Sequence, residues 1–90
     1  MKFKELELLD AVYRGDVDQV WKLLEDCVNP DALDEYEDET ALISASKNGH
    51  VEIVKLLLAA DATLDAVETD GYTALMFASK RGHTETVKHF

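Results

Sequence analysis

TALISASKNGHVEIVKLL, residues 40–57, returns as TALMFASKRGHTETVKHF at residues 73–90, with 11 identities in 18 positions at a shift of 33. A period of this size marks a stacked array of supersecondary units. Each unit is too small to bury its own apolar face, so neighbours supply one another's core and the array as a whole presents an extended surface. That organisation favours binding over catalysis. A third copy lies upstream at a shift of 34, where Leu8, Ala11, Gly15, Val17, Val20, Leu23, Leu24, Asp31 and Ala32 match Leu42, Ala45, Gly49, Val51, Val54, Leu57, Leu58, Asp65 and Ala66. The extra residue falls between Leu33 and Glu39, because seven residues separate Ala32 from Thr40 and six separate Ala66 from Thr73. An insertion at a loop tip leaves stacked helices in register.

Within each copy the pattern is helix, tight turn, helix, loop. Thr40 is placed to cap a helix from about Ala41 to Asn48, its hydroxyl accepting a backbone N–H left free at the helix start. Gly49 ends that helix, since glycine tolerates the left-handed conformation that closes it. His50, Val51 and Glu52 open a second helix with apolar residues at Val51, Ile53, Val54, Leu57 and Leu58, a helical spacing. Glu52 sits in its first turn and Lys55 three residues on, which suits the helix dipole and permits a weak ion pair. Thr73, Gly82, Glu85 and Lys88 repeat the scheme.

Ninety residues suit one small domain, and 47% apolar with 31% charged residues is a folded rather than a disordered composition. No apolar run approaches the roughly 20 residues of a membrane span, and Met1–Glu5 lacks the apolar stretch of a signal peptide. A cytoplasmic or nuclear location is the expectation. Cys27 is the single cysteine, which excludes an internal disulfide. The net charge of -10 disfavours nucleic acid and favours a basic partner. It is concentrated in the middle: residues 31–70 carry 2 bases and 11 acids, whereas residues 71–90 carry 3 and 1.

The segment from Asp70 to Lys88, DGYTALMFASKRGHTETVK, resembles the ankyrin repeat pattern D-G-x-T-P-L-x-x-A-x-x-x-G-H-x-E-x-V-K. Gly49–Leu58 is similar to the same family, and Cys27–Ala32 resembles its G-A-D-P-N-A loop. The resemblance implies an all-α ankyrin-type solenoid of stacked helix-turn-helix repeats with hairpin-like finger loops, about two and a half to three repeats in all. It divides the chain into repeat 1 at about 4–33, repeat 2 at about 34–66 and a truncated repeat 3 at about 67–90. Ala41 and Ala74 stand where the family has proline, and Ile43 and Met76 where it often has histidine, so one recurrent hydrogen-bonded turn is expected to be missing. Cys27 and Asp61 take the place of the glycine that ends the outer helix. Strain or a rearranged turn is therefore expected at Cys27, since cysteine tolerates a left-handed backbone less well than aspartate.

Ile53 and Leu56 of the middle copy become Gln19 and Lys22 in the first and Thr86 and His89 in the last, as for capping repeats with no neighbour on that side. The chain stops at Phe90, partway through the third outer helix. Three readings follow: a frayed last repeat, a fragment of a longer array, or an end covered by self-association through the truncated third repeat.

By resemblance, the partner is another protein, gripped by finger loops and the exposed side of the inner helices. The corresponding partner-binding positions are Tyr36, Glu37 and Glu39 on the first finger, and Thr69, Asp70 and Tyr72 on the second. On the inner helices they are Tyr13, Arg14, Lys47, Asn48, Lys80 and Arg81. All three tyrosines fall in this set, and tyrosine offers large apolar area with a polar tip at low entropic cost. Two readings stand for them, a partner contact or a ring packed along the neighbouring repeat. The acidic stretch Asp34–Glu39 likewise reads as a docking tip for a basic patch, or as a solvated loop whose charges pair with Lys47 and Lys80. Trp21 replaces the lysine of the other outer helices and is expected on the convex back.

No catalytic, cofactor-binding or metal site is expected. His50 and His83 occupy the same turn in successive repeats, about one packing distance of ~10 Å apart, too far for two ~2.0 Å bonds to one zinc. Cys27 has no repeat-derived histidine beside it. The carboxylates of Asp34–Glu39 lack calcium-loop spacing, and no glycine-rich phosphate cradle is present.

Overall fold

A computed structural model describes residues 3–34, 39–64, 66, 67, 71–80 and 88. Helices α1 (Phe3–Arg14) and α2 (Val17–Glu25) form the first pair and α3 (Ala41–Lys47) and α4 (Val51–Ala59) the second, with α5 (Ala74–Lys80) following. The inner helices α1, α3 and α5 stack side by side, and the outer helices α2 and α4 stack behind them. Between the pairs, β1 (Leu33–Asp34) and β2 (Glu39–Thr40) run antiparallel, Leu33 opposite Thr40 and Asp34 opposite Glu39. These two-residue strands are the arms of the first finger, so the architecture is the expected helical solenoid with a hairpin finger. The segment expected to form the third outer helix, including His83, Thr86 and His89, and residues 35–38 between the finger's arms lie outside the described residues.

The interior runs unbroken through the copies. Leu8, Ala11 and Val12 of α1, Val20 and Leu23 of α2, Ile53, Val54 and Leu57 of α4, and Ala74 and Phe77 of α5 belong to one buried cluster. Every residue from Ala41 to Ser46 is buried, because α3 has α1 on one side, α5 on the other and α4 behind. Small side chains, Ala41, Ser44, Ala45 and Ser46, permit that close approach. At the first pair the edge is polar: Lys22 is exposed and Gln19 half-buried where their counterparts Leu56 and Ile53 are half-buried and buried. Trp21, on α2, is 52% exposed.

Four helix ends close in one way. After α1, Asp16 N–H donates to Ala11 O at 2.9 Å and Gly15 N–H to Val12 O at 3.1 Å; after α3, His50 donates to Ala45 O at 2.9 Å and Gly49 to Ser46 O at 3.3 Å. After α2, Val28 donates to Leu23 O and Cys27 to Leu24 O, both at 3.1 Å; after α4, Ala62 donates to Leu57 O and Asp61 to Leu58 O, both at 3.0 Å. This is the Schellman pattern, which needs a left-handed residue at its hinge. Glycine fills the hinge at Gly15 and Gly49, but Cys27 (φ 62°) and Asp61 (φ 63°) fill it on the outer helices. The strain expected at Cys27 is thus present, with the turn itself unchanged.

Thr40 and Thr73 cap helix starts as the sequence predicts, and Asp16 does the same for α2. Thr40 Oγ1 accepts Ile43 N–H at 3.2 Å, Thr73 Oγ1 accepts Met76 N–H at 3.3 Å, and Asp16 Oδ1 accepts Gln19 N–H at 3.2 Å. Ile43, in the family's histidine position, is buried in the core. Lys55 pairs with Glu52 at 3.1 Å on the exposed face of α4. His50 precedes α4 without a side-chain cap. Its imidazole instead lies across the preceding repeat: Nε2 is 3.4 Å from Tyr13 O, and a Cβ placed on Gly15 would come within 3.0 Å of Cε1. Gly15 is therefore favoured twice, by its φ of 75° and by the ring seated on it, which a Cβ would have to push aside.

A second tie joins the loops that follow the outer helices. Asp31 accepts Thr63 N–H on Oδ1 at 2.6 Å and the Thr63 hydroxyl on Oδ2 at 2.9 Å, bridging 32 residues of sequence. Asn29 Oδ1 accepts Asp31 N–H at 3.0 Å and holds the loop that presents the carboxylate.

Candidate functional site

The inner helices α1, α3 and α5 lie on one side of the array, and the arms of the first finger adjoin α1 and α3. Tyr13 lies in the last turn of α1 and is 71% exposed, its ring left to solvent. Arg14 ends the same helix, and its guanidinium is already engaged by Asp10 at 2.9 Å and Asp16 at 3.4 Å. Asn48 caps α3, with Nδ2 donating to Ser44 O at 2.9 Å. Its amide holds a helix end while the residue remains exposed. Tyr36, Glu37, Thr69, Asp70, Arg81 and the side chain of Lys80 lie outside the described residues.

Three of the predicted positions meet. Glu39, on the return strand of the finger, pairs with Lys47 at the end of α3 at 2.5 Å, with side-chain exposures of 13% and 28%. The Lys47 ammonium also stands over the Phe77 ring of α5, 5.2 Å from its centroid. Tyr72, half-buried, sets its ring 5.2 Å from that of Phe77 at an interplanar angle of 40°. Finger, second inner helix and third inner helix are thus joined through one cation held between a carboxylate and an aromatic face, an arrangement that both Coulomb attraction and the ring quadrupole favour.

Phe77 was not among the expected contact residues, yet it is the hub. The signal was available: the period places Ser44 and Asp10 at its position, so a large aromatic there breaks the pattern. Of the tyrosines, Tyr72 packs against Phe77 of its own repeat rather than along a neighbouring one, and the ring of Tyr13 is exposed. The acidic finger pairs with Lys47 through Glu39 as the loop reading expects.

Among the described residues no helix is long and apolar enough to cross a membrane. A family model of ankyrin repeats in three copies matches residues 8–90. Over 36 residues, 40% of this chain, the sequence is 47% identical to cortactin-binding protein 2 of Rattus norvegicus. The chain spans about 2% of the length of that relative.

Proposed function

Because this chain belongs to the ankyrin repeat family, we propose that it is a non-catalytic protein–protein interaction module gripping a partner through the concave face of finger loops and inner helices. The family is generally one of protein-binding modules. The observation that carries the reading is Tyr13: a large amphipathic ring, 71% exposed on an inner helix, in a position where core packing does not use it. The contact set is Tyr13, Arg14, Tyr36, Glu37, Glu39, Lys47, Asn48, Thr69, Asp70, Tyr72, Lys80 and Arg81, carried on repeats at about 4–33, 34–66 and 67–90. The preferred partner carries a basic patch, since residues 31–70 hold 11 acids against 2 bases and complementary charge speeds association. The relative named for binding cortactin supports a protein as the class of ligand.

Replacing Tyr13 and Tyr36 by alanine tests this without touching the Tyr72–Phe77 pair. Capture of partner proteins should fall by about tenfold or more, the scale of a lost aromatic hot spot, with far-UV circular dichroism unchanged. Undiminished capture rejects the concave face.

A second reading, stacking of further repeats or of another copy on the last repeat, rests on α5. Leu75 and Met76 are 41% and 50% exposed, whereas the equivalent Leu42 and Ile43 are each 1% exposed. Sedimentation over a concentration range separates the two, because a persistent monomer counts against self-association.

A further inference from the structure

The cluster of Glu39, Lys47, Tyr72 and Phe77 has the composition of a receptor for a cation and is filled by the chain's own lysine. The carboxylate of Glu39 is 13% exposed, so it is largely withdrawn from water, and the cation it holds sits on an aromatic face. Lysine is an imperfect occupant of such a place. Its ammonium is a compact, strongly hydrated point charge, whereas a guanidinium is planar, less hydrated, stacks on aromatic rings and meets a carboxylate with two parallel N–H donors. Lys47 reaches this place from the last turn of α3 on a long flexible stem, with 28% of its side chain exposed.

We propose that this site takes an arginine side chain from a basic partner segment, with Lys47 as its resident stand-in. The proposal rests on the concave-face reading and adds to it the chemistry of the anchor residue. Arrival of the guanidinium releases Lys47 to water; the Glu39 carboxylate stays paired throughout, so no buried charge is stranded during the exchange. Such a site selects arginine over lysine at equal partner charge, which general attraction to an acidic surface does not do. Surroundings of net negative charge, 11 acids against 2 bases in residues 31–70, supply the pull toward a basic segment.

The test uses the full chain and two labelled nonapeptides of equal charge, one alternating arginine with glycine and the other lysine with glycine, read by fluorescence anisotropy. The wild type should prefer the arginine peptide by about fivefold, the scale of one stacked and bidentate guanidinium. Glu39→Gln should bring that ratio toward one. Glu52→Gln, which removes the same charge from the exposed face of α4, should leave the ratio as it was. Lys47→Met should tighten the arginine peptide by more than Lys55→Met does, because only the former removes the competing occupant. A ratio near one in the wild type, or a ratio that survives Glu39→Gln, overturns the proposal. Tyr13→Ala separates it from the reading it rests on. If Tyr13→Ala weakens both peptides while Glu39→Gln leaves the ratio untouched, the concave face stands and the arginine site falls. If Tyr13→Ala does nothing while Glu39→Gln abolishes the ratio, the arginine site stands and the tyrosine-lined face falls.

Discussion

Replacing Cys27 by glycine should stabilise this protein, which is an uncommon outcome for a single substitution. Cys27 closes α2 with φ 62°, where a Cβ crowds the following carbonyl at a cost of about 1–2 kcal/mol relative to glycine. Glycine gives back about 0.4–1 kcal/mol by enlarging the freedom of the unfolded chain. The thiol is exposed, so no packing is lost, and the bonds from Val28 to Leu23 and from Cys27 to Leu24 use backbone alone. The net gain is about 0.5–1 kcal/mol. In a domain of this size that is a rise in Tm of roughly 2–8 °C. Urea unfolding followed by circular dichroism and by Trp21 fluorescence measures it, with an unchanged slope showing that the folded and unfolded states keep their surfaces. Cys27→Ala is the control, since it deletes the thiol and keeps the Cβ, and it should leave stability within about 0.3 kcal/mol of the wild type. Asp61→Gly should gain less than Cys27→Gly, because aspartate visits the left-handed region more readily. Cys27→Gly no more stable than Cys27→Ala would refute the reasoning.

Gly15→Ala should cost about 2–3 kcal/mol, combining the left-handed penalty with the His50 ring at 3.0 Å; in a His50→Ala background about 1 kcal/mol of that should disappear, as a double-mutant cycle in urea reads. Ser46→Ala should stabilise by about 0.5–1.5 kcal/mol, because Ser46 Oγ is buried without a hydrogen-bond partner among the described residues, and an unchanged thermal midpoint would show that the hydroxyl is satisfied. Asp31→Ala should destabilise by about 1–2 kcal/mol by removing both bonds to Thr63. Thr63→Val should cost about half as much, since it keeps the amide donor, and hydrogen exchange at the Thr63 amide should quicken only in Asp31→Ala.

Local features were legible in the sequence because their physics is local. A threonine before an apolar run caps a helix and a glycine at the hinge closes one, so Thr40, Thr73, Gly15 and Gly49 are found where their residue types place them. The period gave the stacking, since copies that match at Leu8, Leu42, Val20 and Val54 bury the same faces. Contacts between copies were harder to read. Asp31 and Thr63, or Gly15 and His50, are ordinary loop residues until the repeats are placed in register. The role of Phe77 likewise depends on other elements, since Lys47 of α3 stands over its ring and is itself held by Glu39 of β2. Spacing shows a position and not its neighbours: Arg14 is engaged by Asp10 and Asp16, and Asn48 by the carbonyl of Ser44.

Titration of the isotopically labelled chain with the arginine–glycine peptide, followed by amide and aromatic NMR shifts, tests the binding face most directly. The account predicts saturable shifts at Tyr13, Glu39, Lys47, Tyr72 and Phe77, with α2 and α4 left in place. Shifts centred on Trp21, Glu52 and Lys55 of the outer helices, or none at all, would contradict it.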